Sequence, residues 1–151
     1  MEDMRSLKDF VSGRYRQFAA PLLILLFTYA ALVKLLAFAT FEAQLLVQPF
    51  PPKIAYVLSY LIPAAELSAA VLLVFKRTRI AGLWLSLVLM IQFTGYAALA
   101  LLRFWGRVPC PCGGILGHLA WGPHLAFNII FLLITIVGIY LEAKERRFGD
   151  T

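Results

Sequence analysis

Apolar positions run through this chain in four long blocks, at about 18–41, 54–75, 80–102 and 124–141, separated by short polar or proline-rich breaks. Each block is close to or above the ~20 residues that a helix needs to cross the hydrocarbon core of a bilayer. None alternates apolar and polar positions as a half-buried strand does, and Ala, Leu and Ile dominate all four. In hydrocarbon every backbone N–H and C=O has to be bonded inside the protein, so blocks of this kind form helices. The pattern predicts an all-α integral membrane protein, a bundle of four transmembrane helices making one domain over residues 1–151.

The breaks refine this picture. Residues 1–17 are mixed-charge, with Met4, Leu7, Phe10 and Val11 spaced as the apolar side of a short surface helix. Pro49, Pro51 and Pro52 exclude a continuous helix between the first two blocks, and a short interfacial helix ending at Gln48 is expected before them. Blocks two and three are joined only by Lys76 to Arg79, which makes them antiparallel neighbours. The longest connection is 103–123, rich in glycine, with three prolines, both cysteines and His118. That concentration of unusual residues in one loop marks it as functional. No internal repeat or low-complexity tract is visible. Ala37-Phe38-Ala39 resembles a signal-peptidase site, but the apolar run before it is long and Lys34 interrupts it, so an uncleaved first span is preferred.

Charge orients the bundle. Hydrophobic residues make up 62% of the chain and charged ones 15%, and the net charge of +6 lies in short runs between the blocks. That distribution excludes a basic nucleic-acid surface and matches the excess of lysine and arginine on cytoplasmic loops. Arg5, Lys8, Arg14, Arg16, Lys76, Arg77, Arg79, Lys144, Arg146 and Arg147 fall on one side, against Lys53, Arg103 and Arg107 on the other. Both termini are therefore expected in the cytoplasm, with the cysteine loop outside. In a bacterium this means a multi-pass inner-membrane protein whose loop lies in the periplasm, where disulfides persist.

Cys110 and Cys112 are the only cysteines, set in Val-Pro-Cys-Pro-Cys-Gly-Gly. A pair this close can cycle between dithiol and disulfide, and its small ring departs from relaxed disulfide geometry, which makes it easy to reduce. As a static staple it would close almost no chain and so constrain little. The redox reading is preferred. Metal binding by Cys110, Cys112, His118 and His124 is the alternative, although the spacing fits no common zinc pattern. His118 and His124 flank Trp121-Gly122-Pro123 and titrate in a range useful beside a reacting thiol, or else anchor the interface.

Within the blocks, Glu66 stands near the bilayer midplane, where an ionisable group is expensive and faces the bundle interior. It reads as a proton relay or ligand-orienting group, or as a protonated carboxyl bonded to neighbouring helices. Gln92 and Tyr96 share one helical face, as do His124 and Asn128, and these are its candidate partners. Lys34, about seven residues before the end of the first block, either snorkels outward or turns inward to a carboxylate or thiolate.

Four spans in the order Tyr29-Ala-Ala-Leu-Val-Lys34, Ile62-Pro-Ala-Ala-Glu66, Cys110-Pro-Cys-Gly-Gly114 and Trp121-x-x-His124-x-x-x-Asn128 resemble the MauE/DoxX-like family of redox-associated membrane proteins, in a Cys-x-Cys-Gly-Gly form. The resemblance implies a membrane protein working with a periplasmic thioredoxin-like partner, with Cys110 and Cys112 as the exchanging dithiol and Lys34 and Glu66 as the polar positions. One cysteine pair cannot relay electrons across the membrane by thiols. A bilayer-dissolved acceptor is needed, and a quinone near Glu66, Gln92, Tyr96, Asn128 or His124 is the natural one. The expected function is thus a membrane thiol–disulfide oxidoreductase. The alternatives are a non-catalytic scaffold for a periplasmic redox protein and a Cys/His metal-handling site. A homo-oligomer is compatible with each.

Overall fold

The computed structural model describes the backbone of residues 2–49, 51–104 and 121–149 and the side chains of 18–49, 51–104 and 122–144. Cys110, Cys112 and His118 lie outside the described residues, so the loop chemistry expected of them has no geometry to be measured against. Among the described residues the chain is helical throughout: α1 (Glu2–Leu36), α2 (Phe38–Leu46), α3 (Pro52–Val74), α4 (Arg79–Leu101) and α5 (Trp121–Gly149). Four stretches are long and apolar enough to cross a membrane: Phe18–Leu36, Pro52–Val74, Arg79–Leu101 and Gly122–Lys144.

The helices close a four-membered ring in which α1 packs on α3, α3 on α4, α4 on α5, and α5 back on α1 along the slightest of the four seams. The core of Leu23, Phe27, Ala69, Ala70, Leu73, Leu83, Leu89 and Met90 runs down its middle. Outward, Leu25, Val57, Leu61, Trp84, Leu133 and Tyr140 are all more than half exposed. An apolar surface this extensive on every spanning helix is stable in lipid rather than in water. The bundle is a multi-pass membrane protein.

Small residues make the close approaches. A Cβ added at Gly82 would lie 2.9 Å from the backbone N of Leu73, so α4 rests directly on the α3 main chain there. The α3–α4 turn is capped by its own side chains: Thr78 Oγ1 donates to the Leu72 carbonyl at 2.8 Å and Arg79 Nε to that of Leu73 at 3.5 Å. These bonds satisfy carbonyls that the end of α3 would leave open. At the other end of α4, Phe104 N–H bonds to the Leu99 carbonyl and Arg103 N–H to that of Ala100, each at 3.1 Å. This is a Schellman closure, with Arg103 (φ 53°) in the left-handed position that usually belongs to glycine. Prolines interrupt two helices without ending them: α1 continues past Pro21 and α3 past Pro63.

Two expectations need correction. Residues 2–17 form no separate surface helix, since they are the first part of α1. The first apolar block does not make one straight span to Phe41 either. The chain turns out of α1 at Ala37 (φ −116°, ψ 44°), and α2 follows. The break is a kink, because Ala37 N–H still bonds to the Val33 carbonyl and Phe41 N–H to that of Ala37. Neither proline nor glycine stands there. Packing sets the new direction: Phe38 stacks on Tyr60 with ring centroids 4.9 Å apart, and Phe41 and Leu45 pack against Ala55 of α3.

Candidate functional site

All five helices meet around one cavity of about 470 Å³. Its walls come from the C-terminal part of α1, α2 and the turn after it, the N-terminal part of α3, the C-terminal part of α4 and the first turns of α5. Those are the parts of the bundle on the side where α4 ends and α5 begins. The connection carrying Cys110 and Cys112 therefore joins two helices that both contribute to the cavity's walls, α4 up to Ala97 and α5 from His124. Tyr96 stands five residues before the end of α4 and His124 three after the start of α5, about 7 Å and 4–5 Å along their helices.

The lining is mostly apolar, with Phe27, Phe41, Phe93 and Phe127 supplying aromatic faces. Into this surface project eight polar side chains: Tyr29, Lys34, Gln48, Glu66, Gln92, Tyr96, His124 and Asn128. A largely apolar pocket with a few convergent polar groups is the usual form of a small-molecule site, and the volume lies within the typical ~300–1,000 Å³.

Lys34 and Glu66 form the electrostatic centre. Lys34 Nζ donates to Glu66 Oε1 at 2.8 Å and to the Ala30 carbonyl at 3.2 Å. The Glu66 side chain is wholly buried and that of Lys34 is 12% exposed, so water screens the pair little. Phe41 and Phe93 present their rings to the ammonium, with centroids 5.8 and 6.0 Å away. The outward snorkelling weighed for Lys34 does not occur. Because α1 ends at Leu36 rather than at Phe41, Lys34 lies in its last turn, where α2 folds over the ammonium.

The second polar link joins Tyr96, whose hydroxyl donates to Gln48 Oε1, while Gln48 Nε2 donates to the Gln44 carbonyl at 3.0 Å. This ties the turn after α2 to α4 across the cavity. Three buried polar atoms on the lining have no hydrogen-bond partner among the described residues: Glu66 Oε2, Tyr29 Oη and Asn128 Nδ2. They come from α3, α1 and α5. Buried polar atoms are normally bonded, so their convergence on one cavity points to a ligand-facing surface.

Of the residues singled out in the sequence, Lys34, Glu66, Gln92, Tyr96, His124 and Asn128 are brought together here. Lys34 takes the inward alternative, to the Glu66 carboxyl, whereas Tyr96, expected as a partner of Glu66, bonds to Gln48. Tyr29 and Gln48 went unnoticed. Tyr29 carried a signal in its place within Tyr29-Ala-Ala-Leu-Val-Lys34, and Gln48 one in its i,i+4 relation to Gln44.

Comparison with known proteins agrees with this architecture. The family model described as methylamine utilisation protein MauE matches residues 14–141, from Arg14 within α1 to Leu141 within α5. No curated protein and no solved structure matches the chain. With most of its length matched, the chain belongs to the MauE family.

Proposed function

We propose that this MauE-family membrane protein is a thiol–disulfide oxidoreductase of the bacterial inner membrane, passing electrons between a periplasmic thioredoxin-like partner and a lipid-soluble acceptor through Cys110 and Cys112. In the first half-reaction a partner dithiol attacks the Cys110–Cys112 disulfide. A mixed disulfide forms, the second partner thiol resolves it, and the partner leaves oxidised. Cys110 and Cys112 are then two thiols, holding two electrons and two protons. In the second half-reaction a quinone takes both electrons and both protons, becoming quinol as the Cys110–Cys112 bond re-forms. The cycle also runs in reverse, with the direction set by the potentials of partner and quinone.

The observation that carries this reading is the polar-lined cavity in the half of the bundle from which the cysteine connection leaves. An exchanging pair with no second thiol pair in the chain needs an acceptor within the membrane, and a cavity walled by the helices that hold both ends of the loop supplies somewhere for it to bind. The family membership, through the name methylamine utilisation protein, supports a role connected with methylamine utilisation.

Thiol trapping in intact cells tests it. A membrane-impermeant maleimide should label Cys110 and Cys112 only after mild reductant, and Cys110→Ser and Cys112→Ser should each trap a mixed disulfide with a partner. A pair that resists reduction in the folded protein sinks the enzyme reading and leaves a scaffold. Labelling that needs a permeabilised membrane sinks the periplasmic placement.

A further inference from the structure

We infer that the cavity seats a quinone headgroup, with Glu66 Oε2 exchanging a proton with one quinone oxygen and Asn128 and Tyr29 holding the ring. The inference rests on the redox reading above and gives its acceptor a site. Three properties of the cavity point to this ligand class. Aromatic faces from Phe27, Phe41, Phe93 and Phe127 suit a flat, weakly polar ring. The partnerless atoms comprise an amide donor at Asn128, a hydroxyl at Tyr29 that donates or accepts, and a carboxyl oxygen at Glu66. Such a set serves a molecule with two carbonyl oxygens when oxidised and two hydroxyls when reduced. Gln92 belongs to the lining yet is exposed on the bundle surface within a spanning helix, so the cavity reaches that surface at membrane depth. A lipid-dissolved ligand enters by that route and a charged, water-borne one does not.

The ion pair gives Glu66 its geometry. With Oε1 held by Lys34 Nζ at 2.8 Å, Oε2 is the oxygen left for a ligand. When the Cys110–Cys112 disulfide forms, two S–H bonds break and two quinone carbonyls become hydroxyls. One of the two protons passes through Oε2, and the carboxyl ends the step as it began. Glu66 is then a catalytic residue, and Lys34 a positioning residue acting through it.

The test uses the full-length protein in detergent, with decylubiquinone as the probe. Binding is read by quenching of the fluorescence of the chain's three tryptophans. Electron transfer is read as single-turnover oxidation of the pre-reduced protein. Asn128→Leu should weaken binding about tenfold, the worth of one hydrogen bond. Glu66→Gln should leave binding within about threefold while slowing electron transfer by ~100-fold or more, the usual weight of a general acid–base group. Tyr29→Phe, which removes a single oxygen, takes over the binding arm if Asn128→Leu does not fold, with an expected loss of several-fold. Decylubiquinone bound equally by wild type and the binding variant, or Glu66→Gln turning over at the wild-type rate, overturns the inference. A cysteine pair that exchanges with dithiols while decylubiquinone neither binds nor oxidises it overturns the inference and leaves the redox function standing. A pair that never exchanges removes the redox reading, and the binding arm still decides on the headgroup site.

Discussion

Breaking the Lys34–Glu66 pair from one side should be far more damaging than removing it whole. At 2.8 Å the Coulomb attraction is about 6 kcal/mol for an effective dielectric of ~20. The desolvation of two buried charges offsets most of that attraction. Lys34→Met leaves the wholly buried Glu66 carboxylate without its partner and removes the cation that Phe41 and Phe93 face. The expected loss is about 3–5 kcal/mol, as for other buried pairs broken on one side. For a chain of this size that lowers the unfolding midpoint by roughly 6–20 °C. Glu66→Leu alone should be destabilising too, since it strands the Lys34 ammonium. The double variant Lys34→Met/Glu66→Leu should return to within ~1–2 kcal/mol of wild type, because the charge and its cost leave together. Thermal unfolding in one detergent, for wild type and the three variants, gives the coupling energy directly. A coupling below ~1 kcal/mol would refute the reasoning. It would mean that the interaction is worth no more than an ordinary hydrogen bond between membrane helices.

Three further outcomes follow from the packing, each read as a shift in unfolding midpoint. Gly82→Ala should lower it, by about 1–3 kcal/mol of overpacking, because the new methyl meets the α3 backbone at 2.9 Å, whereas Gly138→Ala meets side-chain atoms alone, Leu83 Cδ2 at 3.3 Å and Ala19 Cβ at 3.9 Å, and should be near neutral. A more stable Gly82→Ala would contradict the close α3–α4 approach. Arg103→Gly should raise the midpoint by the equivalent of about 1 kcal/mol, since residue 103 holds φ 53°, and no gain would argue against the left-handed cap. Tyr96→Phe should cost about 1 kcal/mol by removing the hydrogen bond to Gln48 Oε1, and a silent substitution would count against the tie between the turn after α2 and α4.

Four spans, the tight α3–α4 turn and the inward carboxyl were all legible in the sequence, because hydropathy and the cost of a charge in lipid act locally along the chain. The kink at Ala37 was not. Its residues are good helix formers, and the change of direction comes from Phe38, Phe41 and Leu45 finding α3, a contact between distant segments. That single miss carried through to Lys34, whose place was measured against an end at Phe41 instead of Leu36. It also hid Gln48, which reaches the cavity only because α2 folds over α3. Pro63 lies inside α3, fully buried, and does not end the helix. The Ser59 hydroxyl, one turn before it, donates to the Tyr56 carbonyl at 2.7 Å.

The two halves of the bundle divide the work. Toward the α3–α4 turn the interior is filled by small or branched side chains: Ala19, Leu23, Ala69, Ala70, Leu73, Leu83 and Gly138. The polar residues there are quiet: the hydroxyls of Ser86 and Thr135 bond to carbonyls of their own helices, at 2.7 and 2.8 Å. Nothing in that half is left open for a ligand among these buried groups. Toward the cysteine connection the cavity lies between the helices, α2 follows α1 across the kink at Ala37 and joins its wall, and the partnerless polar atoms gather. Close packing at one end is what permits the other to stay open, since van der Waals contact between small-residue faces is the main force joining helices in lipid. It follows that substitutions at Gly82 and at Glu66 should act independently. Gly82→Ala should change the unfolding midpoint with decylubiquinone affinity within about twofold of wild type, and Glu66→Gln, which keeps an oxygen to accept from Lys34 Nζ, should slow electron transfer while its effect on the midpoint adds to that of Gly82→Ala. A Gly82→Ala protein that folds yet loses the quinone by tenfold or more would show that the halves are mechanically coupled, and the cavity would then have to be understood as a product of the whole bundle rather than of its open end.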